Sequence, residues 1–360
     1  MPLPYCTYCA TTPGAFTTAK EDLRTGERIA ARSASPSWVG RAVSTLIPPS
    51  VRAKDNQRLI CSRCNQPIPH CHGRYVNLAL SGASGGGKSA FIVAVNWAMM
   101  NSGLVGGVSF MPGETVDFRT RRIVNTSQLL SGRYEDALPE VDDADLCTAL
   151  PRATPPGATE FRAPLTFDVS RGGEPLCTAG LVDNPGEATL NGNIVSQSPT
   201  STQSNGVLLV VNPFAFQGVL QTFTPLERRR IGVARTSRDY LAAASTLLAV
   251  IPKHVPVAIV ISRGDELEGR ALHDAYALGS RAYDAPDTKL RRIIAEEWAE
   301  PVLVEHFRKR TTKFFLASST GAPVETRTVD GEDRKVVCGY SPWGVLQPLL
   351  WLLSANKAIG

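Results

Sequence analysis

The stretch Gly82-Ala83-Ser84-Gly85-Gly86-Gly87-Lys88-Ser89 decides how the rest of the chain is read. It matches G-x-x-x-x-G-K-[ST] in full, follows the apolar run Leu78-Ala79-Leu80, and precedes the helical Ala90-Phe91-Ile92-Val93-Ala94-Val95. Strand, Gly-rich turn and helix start, in that order, is the setting in which this pattern cradles phosphate. Glycines let the backbone bend tightly and aim its N–H groups at phosphate oxygens, and the helix N-terminus adds partial positive charge. Gly82, Ala83, Ser84, Gly85, Gly86, Gly87, Lys88, Ser89 and Ala90 are therefore candidate nucleotide-binding residues. Lys88 is predicted to reach the β- and γ-phosphates, and the Ser89 hydroxyl to bind Mg²⁺.

Working outward, strand-length apolar runs alternate with helix-length stretches, the texture of an α/β domain. Strands are predicted at Tyr75 to Ser81, Leu165 to Val169, Cys177 to Val182, Gly206 to Val211, Val255 to Ser262 and Lys313 to Ala317. The second and third are joined by Ser170-Arg171-Gly172-Gly173-Glu174, short enough for an antiparallel hairpin. Helices are predicted at Lys88 to Asn101, Arg229 to Val250, Glu266 to Leu278, Leu290 to Arg310 and Trp343 to Leu353.

Three strand ends carry further chemistry. Cys177 to Val182 runs into Asp183-Asn184-Pro185-Gly186-Glu187, where an acid can hold Mg²⁺ and a glycine lets backbone approach a γ-phosphate. Val255 to Ile261 runs into Ser262-Arg263-Gly264-Asp265, where a carboxylate can accept from guanine N1–H and the 2-amino group, donors that adenine lacks. Phe314-Phe315-Leu316-Ala317 runs into Ser318-Ser319-Thr320-Gly321, a small-residue turn suited to backbone contact with a base. A phosphate loop by itself does not choose between ATP and GTP.

Residues 82–89, 183–186, 262–265 and 317–319 resemble the G1, G3, G4 and G5 motifs of TRAFAC-class GTPases, in the same chain order. Over about 75–355 the chain looks most like the bacterial Double-GTPase 2 type, with cysteine knuckles ahead of the phosphate loop, D-x-x-G-E, and an Asn212-Pro213 pair after the fourth strand. The resemblance implies a three-layer Ras-like α/β sandwich, with a mostly parallel sheet and one antiparallel strand. It makes Asp183 a water-mediated Mg²⁺ ligand, Gly186 a γ-phosphate sensor and Asp265 the guanine reader, with the Arg263 stem packed on the base. Ser262, Ser318 and Ser319 complete the base site. A switch I threonine is expected between the first helix and the second strand; Thr154 is the choice, with Thr159 and Thr166 as alternatives. Glu187 stands where many small GTPases have a water-positioning glutamine, so slow hydrolysis is expected until a partner supplies positive charge. Ser262 and Arg263 soften the usual N/T-K-x-D.

Cys6-x-x-Cys9 and Cys61-x-x-Cys64 form two C-x₂-C knuckles, the pattern of a structural Zn²⁺ site with four thiolates; His70-Cys71-His72 offers substitute ligands. Cys147, Cys177 and Cys338 read as buried or incidental thiols. The expected division is a cysteine-rich, zinc-ribbon-like module at 1–74 and a GTPase domain at 75–360.

Composition sets the bounds. The 360 residues are 43% hydrophobic and 20% charged, with 38 basic and 33 acidic side chains giving a net +5. That excludes intrinsic disorder as the main state; the charge is too mild, and residues 1–74 too poor in basic runs with interleaved aromatics, to argue for nucleic acid. No apolar run reaches the roughly 18 residues of a membrane span, and no signal peptide opens the chain, so a cytoplasmic location is expected. No G-x-S-x-G or H-E-x-x-H occurs. The reading is a Mg²⁺-dependent protein that binds GTP and GDP, hydrolyses GTP, and answers to a protein effector or activator in a bacterial signalling or conflict system. An ATPase and a nucleotide-binding scaffold with negligible turnover are the alternatives.

Overall fold

The computed structural model describes residues 18–22, 28–30, 57–61, 68–69, 71–72, 74–83, 85–101, 104–117, 122–133, 140–142, 147–149, 164–184, 203–231, 236–271, 273–274, 287–298, 300–322, 324–329 and 332–359. Eight strands build the main sheet: β1 (Arg74–Ser81), β2 (Leu104–Val105), β3 (Val108–Pro112), β4 (Leu165–Arg171), β5 (Glu174–Asp183), β6 (Gly206–Val211), β7 (Val257–Ile261) and β8 (Thr312–Leu316). Their spatial order is β8-β7-β6-β1-β5-β4-β3-β2. The pairings from β8 through β5 are parallel; those from β5 to β2 are antiparallel. A mostly parallel sheet with flanking helices, its phosphate-loop strand in the middle, fits a P-loop GTPase fold.

Two strands, β4 and β2, therefore run against the rest, where one was expected. The extra pair grows from Val105-Gly106-Gly107-Val108, whose two glycines at positive φ (59° and 76°) close a tight hairpin. The expected hairpin between β4 and β5 is present and turns at Gly172-Gly173.

The central strands read as unbroken apolar runs because both faces are covered. Side chains alternate across the sheet: Leu78, Leu80, Leu208, Val210, Ala258 and Val260 enter one core, with α1 (Lys88–Asn101) and a C-terminal helix (Gln347–Ala355). Ala79, Val207, Leu209, Val211, Val257, Ile259 and Ile261 enter the other, with α2 (Ser237–Val250) and the segment 287–307.

Helix α1 has the predicted bounds. The long helix expected at Arg229 to Val250 is instead two, Pro225–Ile231 and α2. The restart is local: the Asp239 carboxylate accepts from the Thr236 backbone N–H at 2.8 Å, a capping box that begins a new helix. Leu290 to Arg310 likewise divides, into Asp287–Arg292, a wider turn at Ile293–Glu297, and Pro301–His306. Pro301 has no N–H to continue the first helix and sits in the opening turn of the second. From Glu266 to Leu278, a short 3-10 turn at Gly264–Leu267 stands where helix was expected to begin; residues 272 and 275–278 lie outside the described set.

Three smaller sheets were not expected. Thr18–Asp22, Arg28–Ala30 and Gln57–Cys61 form one; Glu114–Asp117 with Arg122–Asn125 another; and Glu140–Asp142, Cys147–Ala149, Val324–Val329 and Glu332–Cys338 a third. In the third, Cys338 is disulfide-bonded rather than a thiol. Its backbone stands opposite that of Cys147 in the ladder. Cys177 is a buried thiol, pushed up to about 11 chiefly by burial. Among the described residues, no helix is long and apolar enough to cross a membrane.

Candidate functional site

The candidate residues gather at the C-terminal edge of the parallel strands, where open α/β sheets bind ligands. β1 delivers the phosphate loop. Gly82 has φ +146°, and a Cβ there would lie 2.4 Å from the Val210 carbonyl oxygen of β6. Only glycine lets the loop leave the sheet this close to a neighbouring strand. The turn closes with Gly86 N–H donating to Ala83 O at 3.1 Å, and α1 starts with Phe91 N–H donating to Gly87 O at 2.8 Å. Lys88 is buried, and its Nζ donates to Gly82 O at 2.9 Å and Ala83 O at 3.1 Å. The ammonium is thus held inside the loop whose glycines shape it. Ser89 and Ala90 occupy the first turn of α1; Ser84 lies outside the described residues.

β5 is the parallel neighbour of β1 and sets Asp183 opposite Leu80. Asp183 is buried at the strand's end, next to the loop's origin. Ser262, just after β7, ties a third strand end to the loop: its hydroxyl donates to Gly86 O and to Val211 O, both at 3.1 Å.

Arg263 takes a left-handed conformation (φ 58°, ψ 39°), a strained choice for a non-glycine residue that clusters at functional sites. Its guanidinium does not extend into the site. It lies 4.7 Å from the centre of the Phe214 ring and pairs with Glu266 at 2.7 Å. The turn it makes carries Asp265 toward the loop after β8. There the Ser318 hydroxyl donates to Asp265 Oδ1. The Ser318 oxygen in turn accepts from the Gly321 N–H at 2.7 Å. Among the described residues nothing bonds to Asp265 Oδ2, which is buried. A buried carboxylate oxygen wanting a donor fits the N1–H and 2-amino edge of guanine. Ser319 is buried in the same turn.

Thr154, Gly186, Glu187 and the alternative Thr159 lie outside the described residues, as do Cys6, Cys9 and Cys64. Thr166, the other switch I alternative, is built into β4: it is buried, its hydroxyl donates to Glu114 O, and its N–H donates to Thr126 Oγ1 at 3.1 Å. Cys61 is buried at the end of its strand. Among the described residues, no group of three or more His, Cys, Asp or Glu side chains is placed to hold a metal. Of the nearby substitutes, Cys71 donates to Pro69 O at 3.7 Å. His72 faces the sheet, with its N–H on Thr178 Oγ1 at 2.7 Å and its ring 3.8 Å from Asp168.

Two neighbours of the site carry no sequence signal. The Tyr240 hydroxyl of α2 stands where a Cβ on Gly86 would be only 3.2 Å away. Trp343, predicted as the start of a helix, instead pairs with Ser318.

No protein-family model matches the chain, and no curated protein does either. Among solved structures, it is similar to the G domain of the FeoB iron transporter of T. maritima, at 13% identity and TM-score 0.27, over 68% of this chain and 89% of that one. A second is an ADP ribosylation factor-like GTP-binding protein, the small COPII coat GTPase SAR1 of Encephalitozoon cuniculi with GDP, at 13% identity and TM-score 0.25, over 69% and 71%. A third is Sup35 complexed with GMPPNP, at 13% identity and TM-score 0.27, over 69% of this chain and 38% of that one. These scores are low, and the fold is assigned from the strand order and the phosphate loop.

Proposed function

We propose that the chain binds GTP and GDP with Mg²⁺, hydrolyses GTP to GDP, and acts as a nucleotide-controlled switch. The observation that carries this reading is the pairing of two features on one sheet edge: an ammonium held in a phosphate loop, and a buried carboxylate oxygen that lacks a hydrogen-bond donor among the described residues. The hydroxyl of Ser262 joins them, bonding to the phosphate loop two residues before Lys88 and three residues before Asp265.

Each residue has a distinct task. Backbone N–H groups of 82–89 and the Lys88 ammonium bind the phosphates. Asp265 accepts from the guanine edge, held in place by Ser318. Ser89 and Asp183 would hold Mg²⁺, which when bound neutralises charge that develops on the phosphates. Glu187 orients the attacking water, Gly186 senses the γ-phosphate, and Thr154 completes the metal site. The carboxylate of Glu187 adds negative charge beside the γ-phosphate, so turnover is slow until a protein activator contributes a cation. The resemblance to Double-GTPase 2 proteins supports a role in a bacterial signalling or conflict system, for which a cytoplasmic location is proposed.

Equilibrium binding of GTP, GDP and ATP with Mg²⁺ tests the base reading. The Asp265→Asn chain should bind GTP about 100-fold more weakly, with ATP binding unchanged, since a site built to hydrogen-bond its ligand fails when a partner is removed. Undiminished GTP affinity in the variant would end the guanine assignment; ATP bound as tightly as GTP by the unaltered protein would make the site an ATPase site.

We also propose that residues 1–74 form a zinc module, with Cys6, Cys9, Cys61 and Cys64 as ligands, ahead of a GTPase domain at 75–360. Elemental analysis of the purified protein should find about one zinc per chain. A folded chain without metal would refute the module.

A further inference from the structure

The base site is assembled from two loops that belong to different strands, and one residue touches both, one through its backbone and the other through its side chain. Trp343 lies 25 residues beyond Ser318, after the hairpin of Val324–Val329 and Glu332–Cys338. Its backbone is locked to the loop after β8: Ser318 N–H donates to Trp343 O at 2.9 Å, and Trp343 N–H donates to Ser318 O at 3.0 Å. Ser341 N–H extends this short ladder to Thr320 O at 3.0 Å. The indole reaches the other loop. A Cβ on Gly264 would stand 2.6 Å from Trp343 Cη2 and 3.0 Å from Cζ2, so the benzo edge rests directly on the Gly264 backbone. Gly264 immediately precedes Asp265, and its own N–H donates to Ala317 O at 3.0 Å. The indole also meets the His273 ring edge-on, 5.9 Å between centres.

Trp343 is therefore a spacer between the residue before Asp265 and the residue whose hydroxyl bonds Asp265. We propose that Trp343 is a positioning residue for guanine selection: it fixes the distance between the two base loops, and so the place of the Asp265 carboxylate. This rests on the guanine-binding reading given above. Shortening the indole leaves Gly264 without its stop. The carboxylate then loses its alignment with the base, and displacements of about 1 Å at a site of this kind can cost 100-fold. The phosphate loop is built separately, on β1 and α1.

The test compares the unaltered chain with Trp343→Phe and Trp343→Ala, using three probes with Mg²⁺: GDP, inosine diphosphate, which lacks the 2-amino group, and inorganic tripolyphosphate, which engages only the phosphate loop. Trp343→Ala should weaken GDP about tenfold or more and compress the preference for GDP over inosine diphosphate by a similar factor, with tripolyphosphate unchanged. Trp343→Phe, which keeps an aromatic ring in the core but lacks the benzo edge, should shift the preference in the same direction and by less, and carries the test if the alanine variant does not fold. An unaltered preference in the variant that folds would overturn the proposal. So would a uniform loss across all three probes, the mark of a merely structural role. An unaltered chain that does not prefer GDP to ADP would overturn the guanine reading itself; one that prefers GDP while its Trp343 variants keep that preference would overturn only the role of Trp343.

Discussion

Lys88→Ala is expected to weaken GTP and GDP binding by about 100-fold or more while leaving the melting temperature nearly unchanged. The Lys88 ammonium is buried in the loop, bonded to two carbonyls of the same loop. Those carbonyls hold it in position for phosphate before any nucleotide arrives, so little conformational entropy remains to be lost on binding. Hydrogen bonds to charged groups are worth about 1.5–3 kcal/mol each, and two such contacts exceed the roughly 2.7 kcal/mol that corresponds to 100-fold. Stability behaves differently, because the substitution also removes the desolvation cost of a buried cation. Calorimetric titration with Mg²⁺-GDP, beside a thermal melt, separates the two effects. Affinity within threefold of the unaltered protein would show that Lys88 does not contact phosphate.

Gly82→Ala should act on stability first. A Cβ at 2.4 Å from Val210 O overlaps an atom that cannot swing aside, since Val210 is paired with Val260 on β7 and lies between two parallel neighbours. The backbone conformation at φ +146° adds a separate penalty for any L side chain, of order 1–3 kcal/mol. Together they put the loss at about 3–5 kcal/mol, in the tail of single-residue effects and a large share of the 5–15 kcal/mol typical of a folded domain. Urea unfolding, read as a fall in midpoint at constant slope, measures it. A loss under about 1 kcal/mol would mean that the loop leaves β1 by another path.

Much of this was legible in the sequence, for physical reasons that differ from element to element. The central strands could be found because parallel strands covered on both faces must be apolar throughout: Gly206–Val211 has the predicted bounds. The phosphate loop could be found because its chemistry needs glycine and lysine at fixed spacing. Breaks within helices were harder, although Pro301 and the T-x-x-D of Thr236 to Asp239 both announce them. The β2–β3 hairpin and the Val324–Val329/Glu332–Cys338 hairpin also had sequence signals, the dipeptides Gly106-Gly107 and Asp330-Gly331, of the kind that favours tight turns between alternating runs. Their strands are short and polar on one side, and a period of two over so few residues is a weak pattern. Trp343 was beyond local reading altogether. Its role depends on a hairpin bringing it back to a loop 25 residues earlier, and no window of sequence contains that fact.

The position of β1 has a consequence for how the chain comes to be folded during its synthesis. β1 and the phosphate loop leave the ribosome before every other strand of the main sheet, yet β1 is sandwiched between β5 and β6. Arg74 waits for Cys177, and Leu78 for Gly206. At about 5–20 residues per second, that delay is on the order of ten seconds. For all of it the apolar Val76, Leu78, Ala79 and Leu80 have no permanent partners on either side. Non-local pairing of this kind slows folding and leaves strand edges open to wrong neighbours. The strand that carries the phosphate loop is thus made well before either strand that flanks it, and its edges stay open to misassembly until both have followed.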